Sequence, residues 1–290
     1  MMIKEALRRA RETLAAHNIE EAPLEAEVLL RHTLKIGRVQ LYTEFQRQLS
    51  PRDEQIFQAL VERRLNHEPS AYITGQRQFY GLDFIVDPGV LIPRPESELL
   101  VEKAIEWAQV RPSVTIADIG TGSGAIAVSL ALSLPQARIY ATDISAAALK
   151  VARLNCQQHG VVDRVHLFAG DMLEPLPGPV DLIIANLPYV REAEIYQDTL
   201  KFEPSLALNG GPDGLDKIRQ LCLQAGDKLL PGGCLLLEIG QGQSDAVIAF
   251  LLGLFPSAQI EVSRDLAGIE RMISMTGIRE GRAIEHHCLL

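Results

Sequence analysis

The spacing of apolar residues changes twice along this chain of 290 residues and divides it into three stretches. In the first, Ile3, Leu7, Ala10 and Leu14 recur at helical spacing, as do Ala26, Leu29, Leu30 and Leu34, so residues 1–70 read as a small all-helical domain without strand-like alternation. Ser50-Pro51-Arg52-Asp53 offers an N-cap, a proline at the first helical position and an acid in the first turn. It predicts a helix running through Ile56, Leu60 and Leu65. The arginines here, Arg8, Arg9, Arg63 and Arg64 among them, read most simply as solvated helix faces; the alternative is a surface for docking a partner.

In residues 71–95, Tyr72, Ile73, Phe79, Tyr80, Leu82, Phe84, Ile85 and Val86 are punctuated by Gly75, Gly81 and Asp87-Pro88-Gly89, which predicts a hairpin linker. The stretch closes on Pro93-Arg94-Pro95, where two prolines bracketing an arginine make a stiff arm. An amphipathic helix follows through Leu99, Leu100, Ala104 and Trp107. The arm is either a connector that caps this helix or a site wall built from Arg94 and Glu96.

Over residues 96–290 strands and helices alternate. Strands are expected at Val114–Asp118, Arg138–Thr142, Arg164–Phe168 and Cys234–Ile239, and helices from Gly124, Ala146, about Leu215 and Ser244. Such alternation means an α/β domain with a parallel sheet and right-handed crossovers. Candidate strands around Ile260 and Met272 can add an antiparallel edge hairpin. At the centre lies Asp181-Leu-Ile-Ile-Ala-Asn-Leu-Pro-Tyr189, whose unbroken run Leu182–Ala185 marks a strand covered on both faces.

Composition narrows the classes. With 47% apolar residues the chain has ample material for a core, and 28 basic against 37 acidic residues give a net charge of −9. No basic field covers the molecule, so binding to nucleic acid through phosphate neutralisation is disfavoured. The N-terminus mixes both charge signs among Ile3, Leu7 and Leu14, unlike a secretory signal, and no run is long enough to span a membrane. Cys156, Cys222, Cys234 and Cys288 form no C-x-x-C pair, and no ligand cluster stands out among the seven histidines. Neither a metal site nor a disulfide framework is expected, and a reducing cytoplasmic setting fits best. The final His-Cys-Leu-Leu falls one place short of a prenylation box and reads as a frayed tail.

The chemistry concentrates at expected strand ends. Asp118-Ile119-Gly120-Thr121-Gly122-Ser123-Gly124-Ala125 follows a strand and opens a helix, with glycines where a ligand must approach the backbone. This string also satisfies a dinucleotide fingerprint through Gly120, Gly122 and Ala125, so alone it does not separate NAD from other adenosyl cofactors. Asp143, 19 residues after Gly124, ends the second strand where a carboxylate can accept from ribose hydroxyls. Asp171 follows the third strand and can accept from an adenine amino group, with Met172 packing on the ring. The fourth strand ends in Asn186, Leu187, Pro188 and Tyr189, an amide, carbonyls and an aromatic plate suited to a flat nitrogen-bearing substrate. Taken alone the tetrad is equally an ordinary proline-containing strand exit.

Together, a D-x-G-x-G-x-G loop, an acid after the second strand and an N-P-P-Y-like tetrad after the fourth resemble class I S-adenosylmethionine-dependent methyltransferases acting on planar nitrogen. Tyr72-Ile-Thr-Gly75, Phe79-Tyr-Gly-Leu82, Val90-Leu-Ile-Pro-Arg-Pro-Glu96, Glu203-Pro204 with Ala207-Leu208, and Gly210-Gly-Pro-Asp-Gly-Leu215 resemble motifs of the PrmC/HemK family within that class. That family comprises the protein-(glutamine-N5) methyltransferases of peptide chain release factors, and the likeness runs to about Gly277. It implies a Rossmann-like, mostly parallel seven-stranded sheet behind a helical substrate-docking domain. It also implies S-adenosylmethionine held by Gly120–Gly124, Asp143, Asp171, Met172 and Asn186. The glutamine of a Gly-Gly-Gln loop would be received by Asn186, Leu187, Pro188 and Tyr189, with Arg94 and Glu96 beside it. Three residues depart from the pattern: Leu187 for proline, Ser97 for threonine and Ser205 where arginine often stands. Asn-Leu-Pro-Tyr is the spelling of rRNA adenine dimethyltransferases, so adenine-N6 methylation of rRNA or DNA is the alternative activity.

Overall fold

The computed structural model describes residues 1–195 and 201–277. The expectations for the tail from Ile278, Cys288 included, lie outside the described residues.

The N-terminal apolar stripes fold as four helices, α1 (Ile3–Ala16), α2 (Ala22–Leu34), α3 (Arg38–Thr43) and α4 (Pro51–Leu65). They close on one core that includes Leu7, Leu14, Leu29, Leu30, Leu41 and Phe57. Ser50 caps α4 as its sequence predicts, its Oγ accepting the Asp53 N–H at 3.1 Å. The four arginines singled out in this region all face glutamates: Arg8 with Glu12, Arg9 with Glu5, Arg63 with Glu68 and Arg64 with Glu25.

A short helix α5 (Ser70–Thr74) follows. Tyr72 and Ile73 therefore lie in a helical turn ahead of the hairpin, because Ile73 packs into the helical core while Tyr72 faces Val86, Val90 and Ile92. The hairpin itself is β1 (Gln76–Phe79) paired antiparallel with β2 (Leu82–Ile85). Asn155, wholly buried, fastens it to the larger domain: its Oδ1 accepts the Ile85 N–H at 2.7 Å, and its Nδ2 donates to the Ile85 carbonyl at 2.9 Å and the Ser123 carbonyl at 2.8 Å.

Beyond α6 (Glu98–Ala108), β3 (Thr115–Ile119), α7 (Ala125–Ser133), β4 (Arg138–Asp143), α8 (Ala146–Gln158), β5 (Val165–Ala169) and β6 (Val180–Ala185) alternate as expected. They are followed by α9 (Asp216–Lys228), β7 (Leu229–Glu238), α10 (Ser244–Leu254), β8 (Gln259–Arg264) and β9 (Glu270–Thr276). The seven larger-sheet strands lie in the order β5-β4-β3-β6-β7-β9-β8, the first five parallel and β9 antiparallel to both neighbours. Two apolar clusters, one on each face, cover the sheet with helices. The expected edge hairpin is present, and its second strand, β9, joins β7.

The chain leaves β3 toward β4 on one side and returns to β6 on the other. The crevice of the sheet therefore opens at the carboxyl ends of β3 and β6. Ile119 is paired with Ala185 in that register, so Gly120 and Asn186 leave the sheet side by side. Among the described residues no helix is long and apolar enough to cross a membrane.

Candidate active site

A cavity of about 850 Å3, part of it open to solvent, occupies this crevice. Of the residues predicted from sequence, Gly120, Gly122, Asp143, Asp171, Met172, Asn186, Leu187 and Pro188 line it. Thr121, Ser123, Gly124, Tyr189, Arg94 and Glu96 do not. The additional walls come from Gly89-Val90-Leu91 of the arm, the exposed side chains of Ile144 and Leu206, and Lys217 of α9.

Backbone geometry explains the glycine loop. Gly120 has φ +69°, and a Cβ there would meet Leu187 Cδ2 at 3.2 Å. The N–H groups of Gly120 and Thr121 both donate to the Thr142 carbonyl at 2.9 Å, tying the loop to the end of β4. Thr121 turns inward and donates its hydroxyl to Asp118 Oδ2 at 2.6 Å. Burial pushes the Asp118 carboxyl up to about 7, and its Oδ1 has no hydrogen-bond partner among the described residues.

Asp143 holds the loop from the neighbouring strand. Its Oδ2 accepts the Gly122 N–H at 2.9 Å and its Oδ1 the Ser145 N–H at 2.8 Å. Burial raises its pKa while these amides pull it down. Asp171 receives a hydrogen bond from Gln220 Nε2 of α9 at 2.5 Å. Met172 lies in the left-handed region at φ +49°, an uncommon conformation for a residue with a side chain. The Thr142 hydroxyl, donating to the Met172 carbonyl at 2.9 Å, holds it there.

The tetrad leaves β6 beside this loop. Asn186 donates from Nδ2 to Ser97 Oγ at 2.8 Å, and among the described residues no donor engages its Oδ1. Leu187 buries its side chain in the sheet core against Gly120 and is part of the cavity wall. Tyr189 points away from the cavity mouth: its hydroxyl donates to Glu238 Oε1 at 3.3 Å and its carbonyl accepts from Gln243 Nε2 at 3.1 Å. The Gly210–Leu215 segment backs the tetrad. Gly214, at φ +80°, passes so close that a Cβ would lie 2.4 Å from the Tyr189 carbonyl oxygen.

Arg94 pairs with the buried carboxylate of Glu203, which also accepts the Ile92 N–H at 3.1 Å. This pair clasps the arm to the segment carrying Pro204, Leu206 and Ala207, so both cavity walls are joined behind the lining. Glu96 is exposed. Sequence reasoning passed over Glu238, which accepts from the Ser97 hydroxyl at 2.5 Å and is itself buried. A carboxylate closing the apolar run Cys234-Leu-Leu-Leu was the available signal. Among the described residues no group of three or more His, Cys, Asp or Glu side chains gathers to hold a metal.

The cavity brings the glycine loop, Asp143 and Asp171 together with the Asn186 amide. Two family models match the chain: the PrmC N-terminal domain over residues 5–75 and the Methyltransferase small domain over residues 95–202. A release factor glutamine methyltransferase from Moorella thermoacetica is 45% identical over 276 residues, covering 93% of this chain and 97% of its own length. The protein of the same name from Bordetella pertussis is 45% identical over 255 residues, covering 86% and 93%. Among solved structures, a methyltransferase from Pyrococcus furiosus superposes with a TM-score of 0.53 at 21% identity, covering 69% of this chain and 91% of that one. Identity that low speaks to the fold alone.

Proposed function

The chain belongs to the release factor glutamine methyltransferases, and on that premise we propose that it methylates the side-chain amide nitrogen (N5) of the glutamine in the Gly-Gly-Gln loop of peptide chain release factors. Its methyl donor is S-adenosylmethionine. The cavity suits that donor: Asp143 and Asp171 supply acceptors for ribose hydroxyls and an adenine amino group, while Met172, Ile144 and Leu206 supply apolar walls. When bound, the cofactor provides an electrophilic methyl group on a positively charged sulfur.

The residues of the chain do the remaining work. A carboxamide nitrogen is a poor nucleophile because its lone pair is delocalised, so it must be oriented and its developing positive charge stabilised. Asn186 Oδ1 and the Leu187 carbonyl serve as acceptors for the two N–H groups of a primary amide, aiming its nitrogen into the crevice. The buried flank of the tetrad keeps water from competing. The observation that carries this reading is the Asn186 amide, part of the cavity lining and anchored through its nitrogen on Ser97, with no donor on its oxygen among the described residues.

Residues 1–70 are read as the surface that docks the release factor, since the cavity wall begins only at Gly89. The net charge of −9 favours a protein substrate over RNA. Mass spectrometry of a reacted release factor tests the assignment. The added methyl should sit on the glutamine side-chain amide; a methyl on lysine, or only on adenine in RNA, would overturn it. Asn186→Ala should lower transfer by about 10²–10³, as for loss of one preorganised hydrogen bond in a water-excluded site, while cofactor binding changes little.

A further inference from the structure

Three residues distant in sequence meet behind the tetrad. Ala185 of β6 is paired with Leu237 of β7, so Asn186 and Glu238 emerge as neighbours at adjacent strand ends. Ser97, at the entrance to α6, lies between their side chains. Asn186 Nδ2 stands 2.8 Å from Ser97 Oγ, Ser97 Oγ 2.5 Å from Glu238 Oε2, and the Tyr189 hydroxyl 3.3 Å from Glu238 Oε1. Ser97 and Glu238 are both buried, so water is a poor substitute for any of these contacts.

Counting protons sets the direction of the chain. A serine hydroxyl has one proton, and an ionised carboxylate only accepts. With Glu238 ionised, Ser97 gives its proton to Oε2 and can offer Asn186 only a lone pair. The amide must then turn its NH2 group to Ser97 and its oxygen to the cavity. With Glu238 protonated at Oε2 the order reverses: Glu238 donates to Ser97, Ser97 donates onward, and the Asn186 amide is stabilised with its oxygen inward. Its NH2 group then faces the substrate, where it opposes an incoming N–H.

We propose that Glu238 and Ser97 are positioning residues for methyl transfer, setting through this proton chain which end of the Asn186 amide the substrate meets. The inference rests on the preceding reading, in which Asn186 accepts from the substrate nitrogen. The chemistry around Glu238 places its switch near neutrality. Burial pushes its carboxyl up to about 7, Ser97 and Tyr189 as donors oppose that rise, Glu96 adds to it, and Arg271 on β9 opposes it. Arg271 is itself held by Asp265 at 3.0 Å. The reacting amide and sulfonium do not titrate in this range, so neither supplies an acid limb.

The test is the pH profile of single-turnover transfer to a release factor at saturating cofactor, with calorimetric cofactor affinity measured alongside. Wild-type transfer should fall toward tenfold per pH unit below the Glu238 pKa, as for any group required in its ionised form. Glu238→Gln, which can either donate or accept toward Ser97, should slow transfer about tenfold at alkaline pH and lose the acid limb, with cofactor affinity unchanged. Ser97→Ala should do the same, and Ser97→Thr, which retains the hydroxyl, should recover most of the rate. Asp118, whose carboxyl burial also pushes up to about 7, is the rival source of a limb. Its titration would act on the glycine loop and so on cofactor affinity, and a limb surviving in Glu238→Gln would overturn the proposal. Transfer and affinity falling in proportion in both the Glu238 and Ser97 variants would overturn it as well. If the wild type fails to methylate the glutamine amide at every pH, the assigned reaction falls; if it methylates and the variants keep its profile, only the positioning role falls.

Discussion

Replacing Asp143 separates the loop-holding that the structure shows for its carboxylate from the ribose contact proposed for it. In the structure it accepts the N–H of Gly122 at 2.9 Å and of Ser145 at 2.8 Å, and it is part of the cavity lining. Asp143→Ala removes the acceptor for any ribose hydroxyl; hydrogen bonds to a charged group are worth roughly 1.5–3 kcal/mol, which is about 10- to 150-fold in Kd. It also frees two loop amides. Gly122 lies at the cavity wall, where water can replace the carboxylate, so the loss of fold stability should stay near the low end, about 1.5 kcal/mol. Asp143→Asn is the sharper variant. It keeps the shape, but its NH2 group must confront one of the two N–H donors, so it should melt no higher than Asp143→Ala although it is isosteric with the wild type. Calorimetric titration with S-adenosylmethionine and thermal unfolding measure the two effects. If Asp143→Asn binds within about twofold of wild type, a change of roughly 0.4 kcal/mol, and melts like it, both the ribose assignment and the loop-holding role are refuted.

Gly214→Ala puts a Cβ 2.4 Å from the Tyr189 carbonyl oxygen at φ +80°, and should cost about 1–3 kcal/mol of stability together with most transfer; a normal melting curve would show that the segment yields. Leu187→Pro keeps the carbonyl while trimming a buried side chain, so glutamine methylation should remain within a few-fold at a stability cost of about 1 kcal/mol, and loss of transfer without unfolding would mean that Leu187 itself shapes the rim. Glu238→Gln should become more stable relative to wild type as pH rises. A carboxyl raised from 4.5 to about 7 binds its proton more tightly in the folded state, so its contribution falls between those values, by on the order of 3 kcal/mol. Unfolding midpoints of the two proteins should therefore diverge from pH 4.5 to 7, and parallel curves would place the titration elsewhere.

Legibility of the site followed the range of the interactions. Alternating strands and helices, the capped start of α4 and the glycine loop are local patterns, written within a dozen residues each, and all appear where the spacing puts them. Strand order was less accessible: nothing local in Met272 or Ile260 says that β9 rather than β8 joins β7. The supporting hydrogen bonds were least accessible. Ser97 and Glu238 are 141 residues apart, Arg94 and Glu203 109, and Asn155 and Ile85 70. Ser97, Asn155, Glu203 and Glu238 are ordinary polar residues until the fold buries each against its partner. Thr121 and Ser123 illustrate the converse, since a loop motif gives residue types without direction. The structure turns Thr121 to Asp118 and gives the Ser123 carbonyl to Asn155.

The strand order also explains why one chain can hold donor and acceptor in register. Consecutive strands β4, β3, β6 and β7 end in Asp143, the Gly120 loop, Asn186 and Glu238. At about 4.8 Å between neighbours, that row spans roughly 14 Å, comparable with an extended nucleoside cofactor and the amide it meets. On the proposed reading, groups at the ends of β3, β4 and β5 hold the cofactor, and groups at the ends of β6 and β7 orient the substrate amide. Methyl transfer so proposed crosses the seam between β3 and β6, where Leu187 packs on Gly120. A change that shifts this seam leaves each half able to bind its own ligand while separating the reacting atoms, and an error of about 1 Å is enough to cost a hundredfold in rate. The departure at Leu187 is therefore felt through packing, by how firmly its side chain fixes the glycine loop to the tetrad, while the backbone carbonyl proposed to meet the substrate is common to leucine and proline.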